Sequence, residues 1–136
     1  MNNVQVGDIV VSNNTWLIGL LGVPLEPGVI LHQSEYSSII YLFMCDEEIT
    51  LMSDYVNKII SAKKIGHFQV GDLVELKPEI QNLLTIRGIG TVLSRTVIKT
   101  ADFDGKFDDN GIDAYLVYFA EEKYEFTIPA TCLQLF

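Results

Sequence analysis

Basic residues are scarce in this 136-residue chain: nine Lys and Arg stand against 18 Asp and Glu, for a net charge of −9. A protein that holds phosphate backbones needs clustered cations, and the strongest basic pair here is Lys63–Lys64. The overall field repels nucleic acid at long range, so DNA or RNA is not an expected partner. Long apolar runs are also missing. Runs such as Tyr41–Cys45 are too short to span a bilayer, and the opening "MNNVQVGD" has neither the basic nor the apolar region of a secretory signal. Cysteine is nearly absent. Cys45 and Cys132 stand 132 − 45 = 87 positions apart, with neither metal-ligand spacing nor the pattern of a small disulfide scaffold. The expectation is two reduced, buried, chemically idle thiols.

What is present is ample apolar material: 49% of residues are hydrophobic and mean hydropathy is positive, enough for a packed core. The length allows one ordinary domain or two very small ones. An internal repeat favours the second. "VQVGDIV" (4–10) returns as "FQVGDLV" (68–74), with Gln5/Gln69, Val6/Val70, Gly7/Gly71, Asp8/Asp72 and Val10/Val74 identical. Further blocks follow in the same order: "PGVILHQ" (27–33) with "GIGTVLSR" (88–95), "YLFMC" (41–45) with "YLVYF" (115–119), and "ITLMSDYVNKI" (49–59) with "FTIPATCLQLF" (126–136). Four matching blocks in one order make a repeat.

Each copy reads as strand, long loop, strand, strand, strand, short helical turn, strand. Period-two alternation in Val74-Glu75-Leu76-Lys77 and Leu133-Gln134-Leu135 supports strands over helices. Gly7 and Gly71 suit a turn dihedral that other residues resist, and the Asp after each can accept a backbone N–H nearby. Only "PEIQNLL" (78–84) and "DYVNKII" (54–60) suggest helix, a turn or two each.

Five short strands per copy, with a long first loop and a 3₁₀ turn before the last strand, resemble the SH3-like small barrel. The resemblance rests on "VGDLV", "GIGTVL", "YLVYF" and "FTIPATCLQL" in the second copy; the first copy has Met52 where the second has Pro129. It implies an all-β chain of two tandem five-stranded barrels, copy 1 over residues 1–65 and copy 2 over 66–136, joined near Lys63–Gly66. A domain of about 65 residues buries only ~60% of its unfolded-chain surface. The two are therefore expected to pack against each other.

No catalytic constellation is readable. His32 and His67 fall at strand boundaries, and no zinc-protease, nucleophile-elbow or phosphate-loop motif occurs. The segment "DFDGKFDDNGID" (102–113) gathers five Asp, but placing Gly111 at the sixth position of a calcium loop puts Lys106 at the first and Val117 at the twelfth. A solvated hairpin loop is the expectation there, and neither metal nor cofactor is expected. The long first loop of copy 1, "TWLIGLLGVPLEPG" (15–28), is unusually apolar and holds the only Trp. Trp16, Leu17, Ile18, Leu20 and Leu21 are the candidate partner-binding residues, either on a partner protein or on the second barrel.

Stretches such as "GDLVELKP…GIGTVLSR…YLVYF…TIPATCLQLF" also resemble short β-barrel virion-accessory proteins of tailed bacteriophages, notably marine and cyanobacterial ones. That resemblance implies a non-enzymatic virion structural protein, made in the host cytoplasm. It would be a capsid decoration or neck or tail accessory piece, bound to a repetitive protein scaffold or to a second copy of itself. The alternative is a small acidic interaction module that modulates a host enzyme. Neither reading involves nucleic acid, membrane or a small-molecule substrate.

Overall fold

The computed structural model describes residues 4–12, 26–62, 67–81, 83, 86, 88–101 and 107–136. Among these residues it is all-β with almost no helix: two five-stranded antiparallel sheets, one from each half of the chain. The first sheet comprises β1 (Ile9–Ser12), β2 (Gly28–Gln33), β3 (Ser37–Leu42), β4 (Glu47–Met52) and β5 (Val56–Ile60), with a 3₁₀ turn at Ser53–Tyr55 before β5. The second comprises β6 (Leu73–Leu76), β7 (Gly90–Ala101), β8 (Phe107–Phe119), β9 (Tyr124–Pro129) and β10 (Leu133–Leu135), with a 3₁₀ turn at Ala130–Cys132 before β10. Among the described residues one short helix, α1 (Pro78–Gln81), follows β6.

The strand orders are β4-β3-β2-β1-β5 and β10-β6-β7-β8-β9, which is one order read in opposite directions. Among the described residues both sheets are open: β4 and β5 are the edges of the first, β9 and β10 of the second, and the expected closure of each into a barrel is not seen. Contact with the other half takes its place at one edge, where α1 lies against β5. Such cover keeps a strand edge from pairing with other chains.

Residue chemistry explains why the halves begin alike. Gln5 to Asp8 form a turn closed by Asp8 N–H donating to Gln5 O at 3.0 Å, and Gln69 to Asp72 form its twin at 3.0 Å. The third position has φ +92° at Gly7 and +93° at Gly71, the left-handed value that side chains resist. Each Asp carboxylate accepts the backbone N–H three residues earlier at 2.8 Å. Each turn is then tied to the second strand: Gly7 N to Ile30 O at 2.9 Å, Gly71 N to Val92 O at 2.8 Å.

The ends of the halves match as well. Asp46 (φ 57°) and Lys123 (φ 54°) occupy the turns before β4 and β9. Met52 holds φ −63° and ψ 139°, and Pro129 holds φ −56° and ψ 139°. The equivalent ladder pairs are Ser37–Met52 and Ala114–Pro129, so that position tolerates a residue without an N–H. Met52 is exposed. Met52→Pro is therefore expected to raise stability by ~0.4–1 kcal/mol, by restricting the unfolded chain, in chemical denaturation.

Three expectations need correction. The match of 41–45 with 115–119 is out by three residues. Tyr41 pairs with Val29 and Glu48, and the residue with the same pairings in the second sheet is Tyr118, with Thr91 and Glu125. The strand ends at Leu42, and Phe43–Asp46 form a turn. Phe43 and Met44 look like strand residues because they pack into the core, though they do so from a turn. Next, "DYVNKII" supplies only its 3₁₀ start before continuing as β5, while "PEIQNLL" does open as α1. Finally, residues 107–113 of the acidic segment are not a loop but the first part of β8, paired with β7.

With that register, six positions match on the face of each sheet that lines its own interior: Val10/Val74, Ile30/Val92, Ile40/Val117, Leu42/Phe119, Leu51/Ile128 and Val56/Leu133. All twelve side chains are buried. In the first half this layer, with Val4, forms a cluster of its own. In the second half it belongs to a larger cluster that also takes in Ile9, Val29, Leu31 and Phe43 from the first sheet. Those residues lie on the opposite, outer face of β1 and β2 and in the β3–β4 turn. The first sheet is thus apolar on both faces, one toward its own interior and one toward the second half, with β2 against β7. One cluster thus spans both sheets, beside a second that belongs to the first sheet alone.

Candidate functional site

The loop residues Trp16, Leu17, Ile18, Leu20 and Leu21 lie outside the described residues, as do the Lys63–Gly66 joint and residues 102–106. His32 lies in β2, half-buried, and His67 is exposed just before the second turn. Among the described residues no three His, Cys, Asp or Glu side chains gather in a way that would hold a metal ion. Nor is any helix among them long and apolar enough to cross a membrane.

The two thiols differ, which corrects the expectation that both are buried. Both are free, but Cys45 is exposed because it sits in the β3–β4 turn; Cys132 is fully buried after β9. Burial pushes the Cys132 thiol up to about 12. Partial desolvation, followed by the Glu26 carboxylate, pushes Cys45 up to about 11. At neutral pH neither is a thiolate, and the thiolate is the nucleophile. The Tyr41 phenol is likewise held well above its ordinary value, first by burial and then by the Asp46 carboxylate, to which its O–H donates at 2.5 Å.

A cleft of about 180 Å³ opens between β6, the segment after α1 and Phe136. Its polar side chains are already engaged: Gln81 Nε2 donates to Leu76 O at 2.7 Å, and Glu75 Oε1 accepts from Gln134 Nε2 at 2.8 Å. The cleft is small beside the several hundred Å³ usual for ligand sites.

The feature that stands out is the outer face of the second sheet. In the first sheet the ladder aligns Ile9, Val29, Tyr41 and Glu48 in one row across four strands. In the second it aligns Leu73, Thr91, Tyr118 and Glu125. Both sheets also shift register at the same point, at Leu31 in β2 and at Leu93 in β7. Exposure separates them. Ile9 and Val29 are 0% exposed and Leu31 2%, whereas Leu73 is 50% exposed, Leu93 37% and Tyr118 37%. The row that the first half buries against the second is left exposed in the second. Farther along the hairpin the ladder puts Arg95 and Val97, paired with Tyr115 and Asp113, on the other face, where Arg95 meets Asp113 at 2.9 Å, while Ala114, on the Tyr118 face of β8, is buried in the shared cluster.

Sequence reasoning missed this row. The available signal was "GDLVEL", in which adjacent Leu73 and Val74 point to opposite faces and only one can enter the sheet's own core. Compared with known proteins, the chain matches no protein family and no curated protein.

Proposed function

We infer that the chain is a tandem pair of SH3-like modules, residues 1–65 and 66–136, that arose by internal duplication and acts by binding protein surfaces rather than by catalysis. The repeat is supported by the common strand order, the twin Gly-Asp turns and the six matched interior positions. The binding role rests on one observation. The first sheet uses its outer face to join the halves, and the second leaves the equivalent row exposed, with Leu73, Leu93 and Tyr118 on it. A stiff body with an open apolar sheet face suits docking on a repeating protein surface.

The proposed setting, from the resemblance to phage accessory proteins, is a virion: capsid decoration or a neck or tail piece. Acidity, at a net charge of −9, keeps a multi-copy surface protein soluble. The same charge favours a second reading, an acidic module that modulates a host enzyme through basic groups on that enzyme.

Quantitative mass spectrometry of purified particles decides between them. In the virion reading the protein is present in symmetry-matched copy number. Absence from particles, together with co-purification of one host enzyme in stoichiometric amount, supports the modulator instead.

A further inference from the structure

We propose that the cleft beside Phe136 receives one arginine side chain from a partner protein. This rests on the binding-module reading above and names the group by which the partner anchors.

Size narrows the occupant first. At about 180 Å³ the cleft is too small for a cofactor or an ordinary ligand, and it suits a single long side chain. Anchors of that kind carry much of the energy at protein interfaces, and arginine is frequent among them.

The lining then selects the chemistry. Leu76 and Ile86 are buried there, Ile89 is partly exposed, and Phe136 is largely exposed. Such an apolar wall accommodates the methylene stem of an arginine, and the Phe136 ring offers a face on which a guanidinium stacks.

Two carboxylates await the charged end. Glu75 lines the cleft, and Gln134 Nε2 takes only its Oε1, at 2.8 Å. A carboxylate accepts through both oxygens, so Oε2 remains for an incoming donor. Glu121 lies against Gly88, another lining residue. Its carboxyl atoms stand 2.8–3.0 Å from the point that a Cβ on Gly88 would occupy. Among the described residues no Lys or Arg lines the cleft, and neither carboxylate has an ion-pair partner. Gln81, the remaining polar side chain, already donates to Leu76 O.

These groups favour arginine over lysine. A planar guanidinium donates in several directions at once and is weakly hydrated, whereas an ammonium is a point charge that holds its water. The net charge of −9 draws a basic partner at long range. Phe136 N–H is bonded to Leu73 O at 3.0 Å, so a partner anchored in the cleft lies next to the exposed row.

NMR titration of the isotope-labelled full chain with N-acetyl-arginine amide tests this. The expected result is saturable binding, on the order of millimolar for one side chain, with the largest amide shifts at Ile86, Gly88, Ile89 and Phe136. Glu75→Gln and Glu121→Gln each weaken it by about fivefold or more. Glu75→Gln keeps an oxygen for Gln134, and Glu121 is exposed, so both variants retain the fold. Glu48→Gln, at an exposed carboxylate of the first sheet, leaves binding unchanged. N-acetyl-norleucine amide, which has an apolar stem and no charge, binds about tenfold more weakly, and added salt weakens the arginine probe. No binding, shifts scattered over the acidic surface, equal effects of Glu48→Gln and Glu75→Gln, or equal binding of the norleucine probe overturns the proposal. A chain that ignores the probe yet is stoichiometric in particles, or on one host enzyme, loses the arginine site and keeps the binding-module reading. One that takes the probe in the cleft but joins neither loses that reading instead.

Discussion

Ile9→Ala lowers the free energy of unfolding by about 3–4 kcal/mol, while Leu73→Ala, the same kind of truncation at the matching position, costs under about 1 kcal/mol. Both residues follow a Gly-Asp turn, both open the first strand of their sheet, and both pair with the second residue of the next strand. Sequence and local structure give no reason for a difference. Packing does: Ile9 is 0% exposed within the cluster that joins the halves, and Leu73 is 50% exposed. Truncating a side chain in a close-packed region loses its transfer free energy and leaves a cavity, and an exposed side chain forfeits little of either. Urea denaturation of the two variants measures the contrast. Equal effects would mean that the outer face of the first sheet is not held by the second half.

A second pair separates a buried clamp from its surface twin. Asp8 is 3% exposed, and its carboxylate accepts two backbone N–H groups, Gln5 at 2.8 Å and Ala62 at 2.7 Å. The second bond closes 54 residues of chain and ties the entry of β1 to the segment just after β5. Lys58 Nζ stands 3.9 Å away, too far to add a strong charge-assisted bond. Among the described residues the Asp72 carboxylate accepts only the local Gln69 N–H, at 2.8 Å and at an exposed site. Hydrogen bonds to a charged acceptor contribute about 1.5–3 kcal/mol each, and an orphaned buried N–H costs about 1–3 kcal/mol. Asp8→Ala is therefore expected to cost about 3 kcal/mol, near 10 °C in melting temperature for a chain of this size, and Asp72→Ala about 1 kcal/mol.

The contrast between these pairs shows what the sequence could reveal. The Gln-Val-Gly-Asp turns were legible because their geometry depends on residue type alone: a left-handed Gly and an Asp that reaches back three residues. The last strand and its 3₁₀ turn were legible too, since Met52 and Pro129 share one backbone conformation. The third strand was not. Where a sheet is buried on both faces, its residues are continuously apolar, and period-two alternation no longer fixes the register. That is why Tyr41 looked equivalent to Tyr115 when the ladder matches it to Tyr118. The long β7–β8 hairpin was hidden for the opposite reason. Asp108, Asn110, Gly111 and Asp113 have low strand propensity, and pairing with β7 overrides it. Of the candidate site, the loop from Trp16 to Leu21 could be named from its composition. The open row of Leu73, Thr91 and Tyr118 emerged only when burial was compared between matched positions, a quantity that no single strand encodes.

The function proposed here draws its strength from the same asymmetry. Two sheets of one topology are joined by the outer face of the first, and the matching row of the second, Leu73 to Tyr118, is left exposed. If the halves were independent, both outer faces would be open and neither would be singled out.

Differential scanning calorimetry of the full chain tests that joint most directly. A shared core predicts one transition, with van't Hoff and calorimetric enthalpies equal at about 95 kcal/mol near 60 °C, the value for all 136 residues unfolding together. Two separable transitions, or a van't Hoff enthalpy near half the calorimetric one, would show that the halves unfold independently and would contradict the account.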